Sequence, residues 1–282
     1  MPAWLRKLPL YLLVVAVVIW IVAPFLWLII SSLSYKVDLL SIPLQWIPRR
    51  ITMENYQELF LYQGSFNVNA ALFTSSIINS MVIASVATFI AMILGVLAAY
   101  ALARVKFRGS DAYMVIMMGA QMIPPIAIVI PLYVVLRKLN LYDTYLGIVL
   151  VYQSFILPLV IWLMRSYFAT IPAELEEAAR IDGCTRLQAL VRIVLPLSGP
   201  GLVSVLIFAF IASWNEYLYA FIYSSVTAKT LPVLIGEFST KLGLEYLRIA
   251  SAGVIASLPP IILALIFQKY LIKGLTAGAI KG

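Results

Sequence analysis

The sequence predicts an all-α polytopic membrane protein with six transmembrane helices. Of its 282 residues, 63% are hydrophobic and only 11% are charged, and the mean hydropathy is +1.01, far from the balance of soluble domains. Six apolar runs are long enough to cross a hydrocarbon core about 30 Å thick, which takes about 20 helical residues. Each run must be helical because backbone amides in lipid have no water to bond.

These runs form a single predicted transmembrane domain over residues 1–282, with spans at 9–33, 71–101, 113–136, 145–165, 199–223 and 248–272. The first run is too long for the apolar core of a secretory signal, and the SSLSYK after it is a poor cleavage site, so we expect an uncleaved anchor. Pro124–Pro125 and Pro259–Pro260 interrupt the third and sixth spans. Each pair predicts a bend that is either a hinge or a fixed kink.

Several functional classes are excluded by composition. The chain has no histidine and one cysteine, Cys184, so neither a disulfide framework, a His/Cys metal cluster nor a histidine triad is expected. No glycine begins a G-x-x-x-x-G-K-[ST] phosphate loop. The net charge is +8, and the basic residues are scattered between the apolar runs. This distribution is typical of loop charges that fix the orientation of a membrane protein, and it does not favour nucleic-acid binding. We therefore expect no catalytic residue, metal or bound cofactor in this chain.

The basic residues predict the orientation. With the amino terminus inside, 12 Lys and Arg residues fall on the inner side and 8 on the outer side. The short turn ARVKFRG after the second span is the kind of loop on which the positive-inside rule has most force. We expect a multi-pass protein of the cell (inner or plasma) membrane, with both termini, including a tail at 273–282, in the cytoplasm.

One polar segment stands out, the loop at residues 170–196, which contains EEAARIDGCTRLQALVRIVLP. Pro172 suits a first helical turn and Glu174 suits the positive end of the helix dipole, so we expect a short helix over 173–182. At 100° per residue, one face carries Leu175, Ala178, Ala179 and Asp182, and the opposite face carries Glu176, Glu177 and Arg180. Gly183 permits a left-handed turn before a second amphipathic piece that ends at Pro196. The result is a helix-turn-helix, either an interfacial cover or a docking element.

The residues of this loop carry a family resemblance. The loop resembles the EAA loop of binding-protein-dependent ABC importer permeases. The matching residues are Glu177, Ala178 and Ala179, then Gly183 after three residues, Ile193 after nine more, and Leu195–Pro196 after one more. Three other segments are similar to the carbohydrate-uptake branch of this family, the branch that contains the maltose permease subunits. They are ITMENYQELF at 51–60, ASWNEYLYAF at 212–221 and GLTAGAIKG at 274–282. The resemblance covers nearly the whole chain. It implies a type I ABC importer permease fold, with loop 170–196 as the coupling loop that sits in a cleft of an ATPase.

Three groups of candidate residues follow. Contact with the ATPase through the loop is expected at Glu176, Glu177, Ala178, Ala179, Asp182, Gly183, Ile193, Leu195 and Pro196. In the family the tail reaches toward the ATPase dimer interface, which here means Gly274, Thr276, Ala277, Gly278 and Lys281, although a frayed end would suit these residues equally. Polar or aromatic groups that are costly or unusual at membrane depth predict a solute pathway or gate at Asn79, Gln121, Ser204, Asn215, Glu216 and Tyr219. For Glu216 a structural hydrogen bond, a gate role and direct sugar contact stay open.

The resemblance implies a transport subunit that is not an enzyme, moving a sugar or sugar-like solute by alternating access. Its expected partners are a homologous second permease, two cytoplasmic ABC ATPase subunits that use ATP and Mg, membrane lipid, and an external solute-binding protein at 34–70 and 224–247. The alternatives are a glycerol-phosphate or polyol solute, or an ion-coupled secondary carrier. Such a carrier would want paired intramembrane carboxylates or a transporter repeat, and a membrane enzyme would want a clustered polar site. The sequence shows neither pattern.

Overall fold

The computed structural model describes residues 3–39, 41–43, 45–48, 50–61, 70–105, 107–240 and 243–277. These residues are almost entirely helical. In chain order the elements are α1 (Ala3–Ser32), α2 (Lys36–Leu39), α3 (Glu54–Leu61), α4 (Ala70–Arg104), α5 (Ser110–Ala120), α6 (Pro125–Lys138), α7 (Tyr145–Phe168), α8 (Ala173–Ile181), α9 (Arg186–Ala189), a π-helical turn (Leu190–Val194), α10 (Leu195–Leu197), α11 (Gly199–Trp214), α12 (Leu218–Tyr223), α13 (Leu231–Glu237), β1 (Ser239–Thr240), β2 (Gly243–Leu244) and α14 (Tyr246–Ala277). The two short strands pair antiparallel as a small hairpin.

Among the described residues, four helices are individually long and apolar enough to cross a membrane. These are Lys7–Ser32, Ala70–Arg104, Tyr145–Phe168 and Tyr246–Ile272, and they overlap the first, second, fourth and sixth predicted spans. Two bent helix pairs, α5 with α6 and residues 186–197 with α11, bring the number to as many as six. The all-helical, polytopic architecture predicted from hydropathy is confirmed.

The third predicted span, 113–136, is broken at Pro124–Pro125, where the sequence predicts a bend. Helices α5 and α6 are bent by 92° relative to each other. Pro124 has φ −57° and ψ 128°, an extended conformation that the following proline favours by crowding the helical region. Helix α6 then begins with Pro125 in its first turn, where a missing N–H costs nothing. The other pair, Pro259 and Pro260, lies inside α14, which continues through it as one helix.

The fifth predicted span, 199–223, is also interrupted. Helix α11 has 16 residues, which is about 24 Å of length, and α12 continues after residues 215–217. Glu216 lies in the break and caps α12: its Oε1 accepts a hydrogen bond from the N–H of Tyr219 at 2.8 Å, and its Oε2 accepts one from Ala220 at 3.0 Å. The carboxylate thus satisfies N–H groups that the start of a helix leaves without partners. Glu216 has a structural hydrogen-bonding role.

Contacts divide the chain into two compact units, Met1–Thr74 with Leu234–Leu258, and Ser75–Val233 with Pro259–Gly282. In the first unit, the Asn55 amide of α3 donates to the carbonyl oxygens of Ser32 at 2.9 Å and Ser34 at 3.0 Å, at the end of α1. Arg248 pairs with Glu58 at 3.4 Å and with Glu245 at 3.0 Å. Residues 7–22 of α1 are exposed, so this apolar helix presents its side chains to lipid or to another protein.

The core of the second unit lies where α4, α7 and α11 pack. Small residues allow the close approach that membrane helices use in place of a hydrophobic driving force. A Cβ on Gly95 of α4 would stand 2.6 Å from Val160 Cγ1 of α7, and a Cβ on Gly201 of α11 would stand 2.5 Å from the Tyr167 ring of α7. Loop 170–196 and all six candidate pathway residues belong to this unit.

Candidate coupling loop and solute pathway

Helix α8 ends in a left-handed glycine turn. Gly183 has φ +92°, its N–H donates to the Arg180 carbonyl at 3.1 Å, and the Cys184 N–H donates to the Ala179 carbonyl at 3.0 Å. This pair of bonds satisfies the last carbonyls of the helix. No heavy atom lies within 4 Å of the position that a Cβ on Gly183 would occupy, so glycine is required here for its backbone conformation alone. The left-handed turn predicted from sequence is confirmed.

The second half of the loop begins with a reciprocal cap. Thr185 Oγ1 accepts from the Gln188 N–H at 3.3 Å, while Gln188 Oε1 accepts from the Thr185 N–H at 2.8 Å, which together form a capping box. The helix then passes through the π-helical turn and α10. Residues 186–197 meet α11 at 84°. The loop therefore runs across the direction of α11 and is internally braced at its turn.

The faces of α8 differ from the helical-wheel prediction. Glu176, on the ionic face, is buried with 9% relative exposure, whereas Leu175, on the small apolar face, is 45% exposed. Ala179 is buried, but Ala178 and Asp182 are exposed. The burial of Glu176 does not follow from a helical wheel, which sorts side chains by polarity and takes no account of polar partners on α4.

Those partners are Tyr100 and Arg104. The Tyr100 hydroxyl donates to the Glu176 carboxylate, and Arg104 Nε lies 3.4 Å from Glu176 Oε2 as an ion pair. Arg104 Nη2 also donates to the Ile171 carbonyl at 2.6 Å. A buried carboxylate is tolerated when it is both paired and hydrogen-bonded, and Glu176 meets both conditions within this chain.

The exposed side of the loop is what a partner could contact. Of the predicted coupling residues, Glu177, Ala178, Asp182, Gly183 and Pro196 are exposed, Ile193 and Leu195 are half-buried, and Glu176 and Ala179 are buried. Ile181 was not among the coupling residues predicted from the sequence, yet it is 86% exposed. A large aliphatic side chain directly before an Asp-Gly turn was the available signal. The exposed surface combines acidic groups, small residues and several apolar side chains, of which Ile181 is the most exposed.

The predicted tail contacts fall at the end of the described chain. Gly274, Thr276 and Ala277 belong to the last turns of α14. Gly278 and Lys281 lie outside the described residues. Contact of this tail with an ATPase stays a prediction.

The candidate pathway residues differ in their burial and in their hydrogen-bond partners. Asn79 is 3% exposed; its Nδ2 donates to the carbonyls of Thr227 at 2.9 Å and Lys229 at 2.8 Å, and its Oδ1 accepts from the Tyr145 hydroxyl at 2.6 Å. Ser204 Oγ lies 2.9 Å from the Pro200 carbonyl and 2.8 Å from the Tyr270 carbonyl, which ties α11 to α14. Both side chains are hydrogen-bonded within this chain, and their role in a solute pathway stays a prediction.

The remaining candidates differ in exposure. Tyr219 is 6% exposed and stacks between Phe155 and Tyr223, with ring centroids 6.1 Å from each. Gln121 and Asn215 are exposed, and Gln121 Nε2 donates to the Ser154 carbonyl at 3.2 Å. Of the six candidates, these two exposed amides are best placed to meet a solute or another protein.

Asp143, between α6 and α7, was missed by the sequence reasoning. Its carboxylate accepts hydrogen bonds from the four consecutive backbone N–H groups of residues 225–228, at 2.8 to 3.1 Å. Partial burial by itself raises the pKa of Asp143, but the four N–H donors outweigh it and hold the pKa below its usual value. Asn79 holds the carbonyls of the same segment, and Ser80 Oγ accepts from the Leu231 N–H at 2.7 Å. The segment 224–231 is therefore fixed from both sides.

Comparisons with known proteins agree with this arrangement. Residues 91–277 match the family model described as binding-protein-dependent transport system inner membrane component. The chain is 38% identical over 256 residues to the trehalose transport system permease protein SugB of Mycobacterium tuberculosis, covering 90% of each protein. It is 36% identical to the trehalose/maltose transport system permease protein MalG of Thermococcus litoralis, over 90% of this chain and 89% of the relative.

A solved structure shares the fold. A chain of a bacterial ABC transporter involved in the import of the acidic polysaccharide alginate superposes with a TM-score of 0.77 at 23% identity, covering 94% of this chain and 96% of the other. The spans, the bent loop and these relatives lead to one assignment. The chain belongs to the family of binding-protein-dependent transport system inner membrane components, and it is a multi-pass membrane protein with the type I ABC importer permease fold.

Proposed function

We propose that this chain is a transmembrane permease subunit of an ATP-driven importer for a sugar or sugar-like solute. The observation that carries the proposal is loop 170–196, which exposes Glu177, Ala178 and Ile181 on a braced helix-turn-helix. Full-length similarity to permeases named for trehalose, for maltose and for sulfoquinovosyl glycerol supports the solute class.

The energy for transport must enter from outside this chain. The sequence contains no phosphate loop, so separate ATPase subunits would bind ATP and Mg and pass their movement to the loop. Glu177 is the side chain that would pair with a basic group of the ATPase, while Ala178 allows close backbone approach. The exposed Ile181 would fill an apolar pocket in the same contact, as anchors of protein interfaces do.

The proposed orientation follows from the loop. If loop 170–196 is cytoplasmic, both termini are cytoplasmic, and the segment 224–231 lies beyond α11 and α12 on the outer face. Its four-amide anchor on Asp143 would give an external solute-binding protein a fixed surface to press on. A homologous second permease would complete the pore, as alternating access requires two halves that rock against each other.

Reconstitution tests the proposal. The permease pair, the ATPase and the binding protein are placed in liposomes with labelled trehalose, maltose, a glucosyl glycerol, a polyol and glycerol phosphate offered in turn. We expect uptake of a sugar that requires ATP on the ATPase side, stops with vanadate and continues with ionophores. Uptake that ionophores abolish, or that needs no ATPase, would establish an ion-coupled carrier instead.

A variant pair links the loop to this activity. Glu177→Lys should remove most ATP-driven uptake while leaving membrane insertion intact, because it reverses charge on the exposed face. Glu174→Gln, an exposed carboxylate on the same helix, is the matched control and should transport as the parent does. Equal uptake by both variants would remove Glu177 from the ATPase contact.

A further inference from the structure

The covalent connections of loop 170–196 lead to α7 and α11, but its polar side-chain contacts lead to a different helix. Tyr100 and Arg104 lie four residues apart near the end of α4, so they project from one face of that helix. The Tyr100 hydroxyl donates to the Glu176 carboxylate of α8 and lies 3.2 Å from the Arg186 carbonyl of α9. One end of α4 therefore contacts both halves of the loop.

Arg104 extends this contact to the loop's entrance. Its Nη2 donates to the Ile171 carbonyl at 2.6 Å, ahead of α8, while its Nε faces Glu176 Oε2 at 3.4 Å. The side chains of Arg104 and Glu176 are only 12% and 11% exposed, so water screens the pair weakly. The Tyr100 ring also packs edge-on against Phe168, with centroids 6.3 Å apart, at the end of α7.

By contrast, the ion pair of Arg165 with Asp111 at 2.9 Å is open to solvent, with Asp111 88% exposed. Exposed ion pairs of this kind contribute little to stability, because solvent screens the charges and forming the pair restricts both side chains. The buried cluster of Tyr100, Arg104 and Glu176 is different in kind. Separating α8 from α4 would break both the ion pair and the Tyr100 hydrogen bond of the Glu176 carboxylate.

We propose that Glu176 is a positioning residue that fastens the loop to α4, so that α4 and α8 move as one body during transport. The proposal rests on the proposed function and adds the route by which movement of the loop reaches the pore. Glu176 faces inward to α4 while its neighbour Glu177 faces outward, so the adjacent carboxylates serve different contacts. Movement imposed on the exposed side of α8 is transmitted to a 35-residue membrane helix that is remote from it in sequence.

The first test measures solute transported per ATP hydrolysed in the reconstituted complex. Glu176→Gln keeps size and an acceptor for Tyr100 but removes the charge that Arg104 faces. We expect the ratio to fall about tenfold, while ATP hydrolysis and subunit assembly persist. Asp111→Asn, which removes the exposed ion pair, is the matched control and should keep the parent ratio.

A double variant tests whether the two residues act through one linkage. Tyr100→Phe removes the hydroxyl and keeps the ring against Phe168, and it should lower the same ratio. Combined with Glu176→Gln it should lower the ratio no further than the worse single variant. Additive losses, or losses of ATP hydrolysis and uptake in equal proportion, would overturn the proposal in favour of a general folding defect.

The second test measures movement directly. Spin labels at Leu97→Cys on α4 and Glu174→Cys on α8, both exposed positions, are introduced after Cys184→Ser. The distance between labels should change by less than about 2 Å between nucleotide-free and ATP-bound complexes, well under the ~5.4 Å of a one-turn shift, and should change more with Glu176→Gln. A large change without that substitution overturns the proposal. If the unaltered complex shows no ATP-driven uptake, the proposed function itself fails, which is a distinct outcome.

Discussion

Replacing Gly183 tests the turn on which loop 170–196 depends. Because no heavy atom lies within 4 Å of a Cβ at this position, a new side chain creates no collision there. Within this chain its effect on stability comes from the backbone, whose φ of +92° is one that side chains resist. The series Gly183→Asn, Gly183→Ala and Gly183→Val therefore separates backbone strain from packing.

The expected magnitudes follow from the cost of a left-handed residue, about 1–2 kcal/mol. A side chain also restricts the unfolded chain, which returns roughly 0.4–1 kcal/mol, so Gly183→Ala should destabilise by about 1 kcal/mol. Gly183→Asn should cost only a few tenths because asparagine tolerates this region. The β-branched Gly183→Val should cost about 2 kcal/mol or more.

The assay is thermal unfolding of the purified permease together with solute transported per ATP in the reconstituted complex. About 1 kcal/mol corresponds to roughly 2–4 °C in a chain of this size. Gly119 of α5 is the matched control, since a Cβ there also meets nothing within 4 Å and its φ is not positive. Gly119→Ala should be neutral or stabilising because alanine favours a helix.

Both readouts should rank asparagine above alanine and alanine above valine at position 183. The reasoning would be refuted if Gly183→Val unfolded and transported as the parent does. It would also be refuted if the alanine substitutions at 183 and 119 shifted the melting temperature in the same direction.

Three further predictions concern the second unit. Because the pKa of Asp143 is lowered in the folded state, its carboxylate stabilises the fold above the usual pKa of about 3.9, and this stabilisation is lost as pH falls through the lowered pKa. Asp143→Asn should therefore melt at a lower temperature than the parent at about pH 6. The difference in melting temperature should vanish in strong acid. Asn79→Leu should lower the free energy of unfolding by about 2–3 kcal/mol in denaturant titration, since it removes the amide that bonds the carbonyls of Thr227 and Lys229; an unchanged midpoint would contradict this role. Gly201→Val should cost about 1–3 kcal/mol by collision with the Tyr167 ring, whereas Gly199→Ala, with open space around its Cβ, should stay within about 0.5 kcal/mol.

Features that depend on local physics could be predicted from the sequence. Hydropathy alone identifies the membrane class, because a span needs about 20 apolar residues whatever its neighbours are. The left-handed turn follows from Gly183 and its place at a helix end. The break at Pro124–Pro125 was predicted as a bend, and only its extent, 92°, required the structure.

Features that depend on distant partners could not be predicted. Glu176 is separated from Tyr100 by 76 positions, and its own helix gives no sign that it is buried. Asp143 contacts amides 82 to 85 positions away and lies in an ordinary polar turn. Glu216 was flagged for its depth in a span, and the break that it caps was missed because no proline or glycine lies at residues 215–217.

The polar groups of this chain are largely committed to its own architecture. Asn79, Ser204 and Glu216 each satisfy two or more backbone groups, and exchanging such bonds for bonds to a solute hydroxyl yields little net free energy. A pathway for sugars needs groups whose partners are water before the solute arrives. Gln121 and Asn215 are exposed, and Gln121 has one hydrogen bond to exchange, from its Nε2 to the Ser154 carbonyl, whereas Asn79, Ser204 and Glu216 each contact two backbone groups. If a second permease completes the pore, as proposed, the rest of the polar lining would come from that chain.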